Sequence, residues 1–248
     1  MPAPVTLSCP NHDARPAGMP IDTLVLHYTG MPTGTAAISR LRDASAKVSA
    51  HYVIEEDGRV FQLVPEERRA WHAGIAYWRG HRDINGRSIG IELVNPGHEF
   101  GYRAFPKAQM TALEALARAI VKRRQIPARN VVGHADVAPE RKEDPGELFD
   151  WERLAASGIG LWPKLRRRWF GRNFDSFDFG PGDRNKTIAE TQRRLVTWGY
   201  EVSTGGELDA RTTRVLVAFQ RHFRPSRIDG RLDGETASRL AALIEQID

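Results

Sequence analysis

The sequence predicts an α/β protein built on one central sheet, followed by a small three-helix unit. Three observations carry this reading. Short β-rich apolar runs and a hairpin signature precede residue 95, a long segment with helical spacing leads into a further strand, and an eleven-residue pattern recurs near the C-terminus.

The elements follow in order. "IDTLVLHYTG" (21–30) is a short apolar run ending at His27 and broken by Gly30, so it reads as a buried strand with His27 at its carboxyl end. "AHYVIEEDGRVFQLV" (50–64) holds two alternating runs joined by Asp57-Gly58, the strongest short-range hairpin signal. "SIGIELVN" (88–95) alternates, which puts Ile89, Ile91 and Leu93 on one face and Gly90, Glu92 and Val94 on the other. Glu92 is thus a carboxylate inside an otherwise apolar strand. From Lys107 to Gln125 the apolar residues Met110, Leu113, Leu116, Ala117, Ile120 and Val121 recur at helical spacing, and Pro127 closes the segment. "RNVVGH" (129–134) returns as a strand ending at His134.

Near Trp169 the texture changes. "WFGRNFDSFDFGPGD" (169–183) has no sustained period and reads as a linker whose aromatics pack down. Beyond it, "GELDARTTRVL" (206–216) and "GRLDGETASRL" (230–240) share G-x-L-D-x-x-T-x-x-x-L. In each copy Gly makes a turn, Asp209 or Asp233 is the N-cap, Thr212 or Thr236 is the third helical residue and the Leu faces a core. With "KTIAETQRRLVTWGY" (186–200) this makes three helices. The organisation expected is residues 1–168 as one domain, 169–185 as linker and 186–248 as a three-helix domain. All the motifs with chemical character end before Trp151, so the tail is expected to be separable.

The 248 residues, 41% of them apolar, suffice for a sizeable core. No apolar run reaches the roughly 18–20 residues of a membrane helix, and "MPAPVTLSCP" (1–10) lacks the basic and apolar regions of an export signal. The expectation is a cytoplasmic protein, with the periplasm or cell envelope as the alternative. Cys9 is the only cysteine, which rules out an intrachain disulfide. The 36 Lys and Arg against 31 Asp and Glu give a net charge of +5, concentrated in "VKRRQ" (121–125) and "KLRRRWF" (164–170). Such runs suit an anionic partner, either nucleic acid or an acidic wall polymer, but are more often solvated helix faces.

"VVGHADVAPERKED" (131–144) gathers His134, Asp136, Lys142 and Asp144 after an apolar run. His27 and His134 both end strands, and Asp144 lies a short loop beyond His134. Two imidazoles and one carboxylate would leave one position of a tetrahedral zinc open, the arrangement of a catalytic site. Asp136 competes for the carboxylate position, because an H-x-D pair in a strand points one way; His51, His72, His81 and His98 are rival imidazoles.

"VLHYTG", "SAHYVIEEDGRVFQLV", "AWHAG", "SIGIELVN" and "GHADVAPERKEDPG" stand in the order of the zinc-dependent N-acetylmuramoyl-L-alanine amidases, whose superfamily includes phage lysozyme-amidases and peptidoglycan recognition proteins. The resemblance covers about residues 20–155, and the C-terminal repeat resembles the small peptidoglycan-binding domain fused to wall hydrolases. It implies a central mixed β-sheet flanked by helices, as in the anhydro-muropeptide amidases that carry such a tail. It also implies hydrolysis of the amide between N-acetylmuramic acid, or its 1,6-anhydro form, and L-alanine in peptidoglycan or muropeptides, during wall turnover and recycling.

Carried onto this chain, the resemblance makes His27, His134 and Asp144 the ligands of one Zn2+ and leaves Asp136 to hold the loop. Glu92 becomes the proton carrier and Lys142 the stabiliser of the oxyanion. His51, Trp71, His72 and Asn95 become candidate substrate contacts, with His51 also a candidate to orient a ligand. One departure stands out: the phage branch has a catalytic tyrosine where this chain has Ala50, so Glu92 carries the proton transfer alone. The alternatives are a non-catalytic peptidoglycan recognition module on the same fold, which the filled ligand positions oppose, and a basic nucleic-acid-binding protein, which no motif supports.

Overall fold

The computed structural model describes residues 3–165 and 177–247; most of "KLRRRWF" and the first half of the expected linker lie outside these residues. The strands are β1 (Val5–Thr6), β2 (His12–Ala14), β3 (Thr23–Tyr28), β4 (Tyr52–Ile54), β5 (Val60–Gln62), β6 (Arg68–Ala70), β7 (Ser88–Leu93), β8 (Val131–Gly133), β9 (Asp178–Phe179) and β10 (Leu232–Asp233). The helices are α1 (Gly34–Arg42), α2 (Ile84–Arg87), α3 (Gly97–Phe100), α4 (Lys107–Arg124), α5 (His134–Val137), α6 (Trp151–Ala156), α7 (Lys186–Trp198), α8 (Ala210–Phe223) and α9 (Gly234–Ile244). Among the described residues no helix is long and apolar enough to cross a membrane.

The central sheet has the order β1-β5-β4-β7-β3-β8. It is mixed: β4 and β5 form the antiparallel hairpin around Asp57-Gly58, while β1–β5, β4–β7, β7–β3 and β3–β8 run parallel. Strand alternation sorts the side chains. Leu24, Leu26, Ile89, Ile91 and Leu93 pack with Met110, Leu113, Leu116 and Ile120 of α4 in one buried cluster. The opposite face presents Val25 and His27 from β3 and Gly90 and Glu92 from β7, with His27 directly beside Glu92 in register. The first face is apolar throughout, whereas the second becomes polar at the carboxyl ends of the strands, where His27 and Glu92 stand.

The basic run at the end of α4 is not a free anionic docking site. Arg123 and Arg124 both grip Glu66, at 2.5 and 2.8 Å, and Glu66 is 4% exposed. In place of the expected strand end, His134 opens the single helical turn α5. His134 and Asp136 therefore diverge instead of pointing one way.

The C-terminal helices are capped as the repeat predicts: Asp209 accepts from the Thr212 amide at 2.7 Å and Asp233 from the Thr236 amide at 2.9 Å. Each repeat turn is also held by a glutamine of the preceding helix. Gln192 accepts from the Gly206 amide and donates to Thr212, and Gln220 accepts from the Gly230 amide and donates to Thr236. Gly206 (φ +83°) and Gly230 (φ +69°) occupy left-handed backbone that a Cβ would strain.

These helices share a core with the sheet. Val25, Trp78, Val132 and Val137 belong to the same buried cluster as Ile188, Leu195, Tyr200, Phe219 and Leu240, and Trp78 meets Tyr200 edge to face at 5.1 Å. The expectation of a separable tail meets a joint hydrophobic core. A chain ending at residue 165 exposes Trp78 to water, a loss of about 1.5–3 kcal/mol for that side chain and roughly 5–10 °C in melting temperature. Calorimetry of the two lengths checks this, and equal melting would show that the shared cluster contributes nothing.

Candidate active site

Four segments meet at the carboxyl edge of the sheet. β3 delivers His27, β7 delivers Glu92, α5 opens with His134, and the loop after α5 carries Lys142 and Asp144. The Nδ1 atoms of His27 and His134 are 3.0 Å apart, and Oδ2 of Asp144 lies 3.0 Å from the first and 3.1 Å from the second. All three residues are buried.

The outer hydrogen bonds fix the proton on His134 and leave two arrangements for His27. Nε2 of His134 lies 3.1 Å from the Ala73 carbonyl, which only accepts, so that nitrogen carries the hydrogen and Nδ1 is bare. Nε2 of His27 faces Nδ1 of His72 at 3.0 Å, and Nε2 of His72 faces the Ser88 hydroxyl at 3.1 Å. This chain can run either way: if Ser88 donates to His72 and His72 to His27, Nδ1 of His27 carries a hydrogen toward Asp144, and if His27 donates to His72 and His72 to Ser88, Nδ1 of His27 is bare. In the second arrangement, the one a metal ligand must adopt, two imidazole lone pairs and a carboxylate oxygen converge. Such a set of acceptors is satisfied by a cation, and its two nitrogens and one oxygen suit a divalent metal.

Burial and the neighbouring His134 push His27 down to about 4 against the pull of Asp144, so the ring is neutral near pH 7 as a ligand must be. Burial opposes the charge on Asp144, but His134 and His27 outweigh it and hold the carboxylate well below its usual range.

A cleft of about 410 Å³ opens over this cluster, lined by His27, Tyr28, Trp71, His72, Glu92 and Lys142 among others. Burial first, and Asp144 second, push the Glu92 carboxyl well above its usual value, with Lys142 opposing. Its Oε2 is sealed from solvent without a hydrogen-bond partner. A buried, unpartnered carboxylate oxygen at the floor of a cleft is costly to maintain and free to take a proton.

Two of the candidate substrate contacts, Trp71 and His72, lie on the cleft wall; two do not. His51 is fully buried, with Nδ1 accepting from the Gly90 amide and Nε2 against Arg15 and the Arg68 carbonyl. Burial and Arg15 push it down to about 3. It touches neither cleft nor ligand, and the imidazole that orients His27 is His72. Asn95 is also fully buried, where it binds the Arg103 carbonyl and the Gly97 amide and shapes the turn after β7. Asp136 turns away from the cluster, as described below. His81 pairs through its backbone with Trp78, and His98 faces Tyr28 and Glu147.

Arg141 and Ser88 escaped the sequence reading. Arg141 straps the ligand loop to the "AWHAG" segment by donating to the Ala73 and Ile75 carbonyls, yet in sequence it is one more charge in a polar loop.

Residues 17–147 match the family model described as N-acetylmuramoyl-L-alanine amidase, and residues 184–240 match a putative peptidoglycan binding domain. The N-acetylmuramoyl-L-alanine amidase AmiD of Escherichia coli K12 is 40% identical over 239 residues, covering 91% of this chain and 83% of AmiD. The 1,6-anhydro-N-acetylmuramyl-L-alanine amidase AmpD of Citrobacter freundii is 37% identical over 164 residues, 59% of this chain and 86% of AmpD. Among solved structures, E. coli AmiD in complex with anhydro-N-acetylmuramic acid-L-Ala-D-gamma-Glu-L-Lys matches with a TM-score of 0.79 at 39% identity, covering 93% of this chain and 91% of that one. AmpDh3 of Pseudomonas aeruginosa in complex with anhydromuramic pentapeptide matches with a TM-score of 0.81 at 36% identity, covering 94% of each chain.

The His72 ring lies where a Cβ on Gly90 would come within 2.6 Å of it. Gly90→Ala must displace the ring that supports His27, an overpacking cost of about 1–3 kcal/mol. Urea unfolding reads the loss, and an unchanged midpoint would mean that the ring yields freely.

Proposed function

The chain belongs to the N-acetylmuramoyl-L-alanine amidase family, and from that membership we propose how its cleft performs the hydrolysis and on what. The observation that carries the reading is the convergence of two imidazole nitrogens and a carboxylate oxygen beside an unpartnered carboxylate oxygen. His27, His134 and Asp144 would hold one Zn2+, which when bound polarises the scissile carbonyl and makes water acidic enough to attack near neutral pH. Glu92 accepts the proton of the attacking water at Oε2 and returns it to the departing alanine amine, and its raised proton affinity suits that exchange. Lys142 lines the same cleft and steadies the negative charge that develops on the carbonyl oxygen. Trp71 and Tyr28 wall the space for the sugar and stem peptide.

The relatives solved with anhydro-muramyl peptides support soluble 1,6-anhydro muropeptides as substrates, and the match over residues 184–240 supports intact peptidoglycan as a further ligand. Product analysis of a muropeptide digest is the direct test: free peptide beginning with L-alanine and a peptide-free muramyl product are expected. Intact muropeptide with tight binding would point to a recognition module instead.

Metal holding and chemistry separate by substitution. His27→Ala, His134→Ala and Asp144→Ala are each expected to remove most zinc and activity, whereas Asp136→Ala keeps all three ligands and is expected to weaken zinc binding less than any of them. Glu92→Gln and Lys142→Ala are expected to keep roughly one zinc per chain. They should still lose about 100- to 10,000-fold and about 100- to 1,000-fold in turnover, respectively. Metal analysis with kinetics reads both, and near-normal turnover by zinc-loaded Glu92→Gln would overturn the proton-carrier role.

A further inference from the structure

Two of the three candidate ligands lie beyond the ends of the strands. His27 is an interior strand residue, but His134 opens a single helical turn and Asp144 lies in the loop beyond it. These two pieces are joined to each other by the Ala135 amide donating to the Asp144 carbonyl at 2.9 Å. The N-terminal domain grips them through the Ala73 and Ile75 carbonyls, Tyr102 and His98, and a second set of grips comes from the C-terminal helices.

Asp136 is the first grip. Its carboxylate points away from the metal cluster, is 2% exposed and is satisfied entirely by donors. Oδ2 accepts from the Gly133 amide at 2.8 Å, which closes the turn, and the two remaining donors come from far along the chain. The Tyr200 hydroxyl, just past α7, donates to Oδ1 at 2.5 Å, and Nδ1 of His222 on α8 lies 2.7 Å from Oδ2. The His222 ring also stacks on Trp151 at 3.7 Å, and Trp151 closes against Gly133. The second grip is Arg221, the neighbour of His222, which pairs with Glu143 at 3.5 Å and Glu147 at 3.3 Å on either side of Asp144.

We infer that the C-terminal helical unit completes the metal site, with Tyr200 and His222 acting through Asp136, and Arg221 through Glu143 and Glu147, as positioning residues for His134 and Asp144. The role is distinct from binding wall polymer, and it rests on the reading of His27, His134 and Asp144 as metal ligands. A buried carboxylate that lost its Tyr200 and His222 donors would turn toward other partners or water, and the α5 turn would follow. His134 would then leave its place opposite His27 even though the sheet stayed intact.

The test measures Zn2+ affinity by chelator competition and the visible absorption of the Co2+-substituted protein, on the full chain. Tyr200→Phe combined with His222→Leu is expected to weaken Zn2+ binding about 10- to 100-fold, as removal of groups that orient metal ligands does, and to alter the Co2+ bands. His222→Asn, which restores a donor near the position of Nδ1, is expected to recover most of the affinity relative to His222→Leu. Leu240→Ala is the control, since it loosens the same core without touching Asp136; it should lower the melting temperature and leave the affinity unchanged. Should the double variant not fold, Tyr200→Phe alone removes one hydroxyl and is read in the same way. Affinity and Co2+ bands indistinguishable from wild type in the folded variants would overturn the inference, as would an equal loss in Leu240→Ala. A wild-type chain with no Zn2+ affinity would overturn the metal reading itself.

Discussion

The convergence of Nδ1 of His27, Nδ1 of His134 and Oδ2 of Asp144, each within 3.1 Å of the others, is the constraint around which the rest of this molecule is arranged. Three buried polar atoms from separate segments stay this close only where the surrounding structure holds them. The holding is done in two ways. β3 fixes His27 through a parallel ladder on both sides, and the His72–Ser88 pair sets its ring. The Ala73 carbonyl sets the ring of His134, while the loop that carries it leans on Arg141 and on helices from the far end of the chain.

The position of Glu92 follows from the same sheet. Parallel pairing sets it beside His27, on the face that α4 does not cover. No group donates to its Oε2, and burial first, with the charge of Asp144 second, raises its affinity for a proton. An ordinary strand alternation thus produces the one carboxylate in the cleft suited to carry protons.

Local signals made much of this legible in the sequence. The Asp57-Gly58 hairpin, the alternation that turned Glu92 away from Ile89 and Ile91, the period of α4 and the capping aspartates of the repeat each depend on residues a few positions apart. What stayed hidden depends on contacts far apart in the chain. His51 and His72 both follow small or aromatic residues in polar surroundings, and only the fold decides that His72 meets His27 while His51 turns toward Arg15. Asp136 looked like a ligand because its partners, Tyr200 and His222, are 64 and 86 residues away. Asn95 reads as a substrate contact because nothing in "ELVN" announces the turn that buries it. The N-terminal strands β1 and β2 are too short to show a period at all.

The glutamines behind the C-terminal turns bear on how such a unit multiplies. Gln192 reaches a turn 14 residues ahead and Gln220 one only 10 ahead, so the two copies agree in chemistry while differing in spacing. A gene duplication that copied only the eleven-residue string would deliver a glycine turn whose amide has no acceptor, since the acceptor belongs to the helix before it. The transmissible block is therefore a helix together with the turn it precedes, and its ancestry is better traced by following the glutamine than by searching for a fixed period.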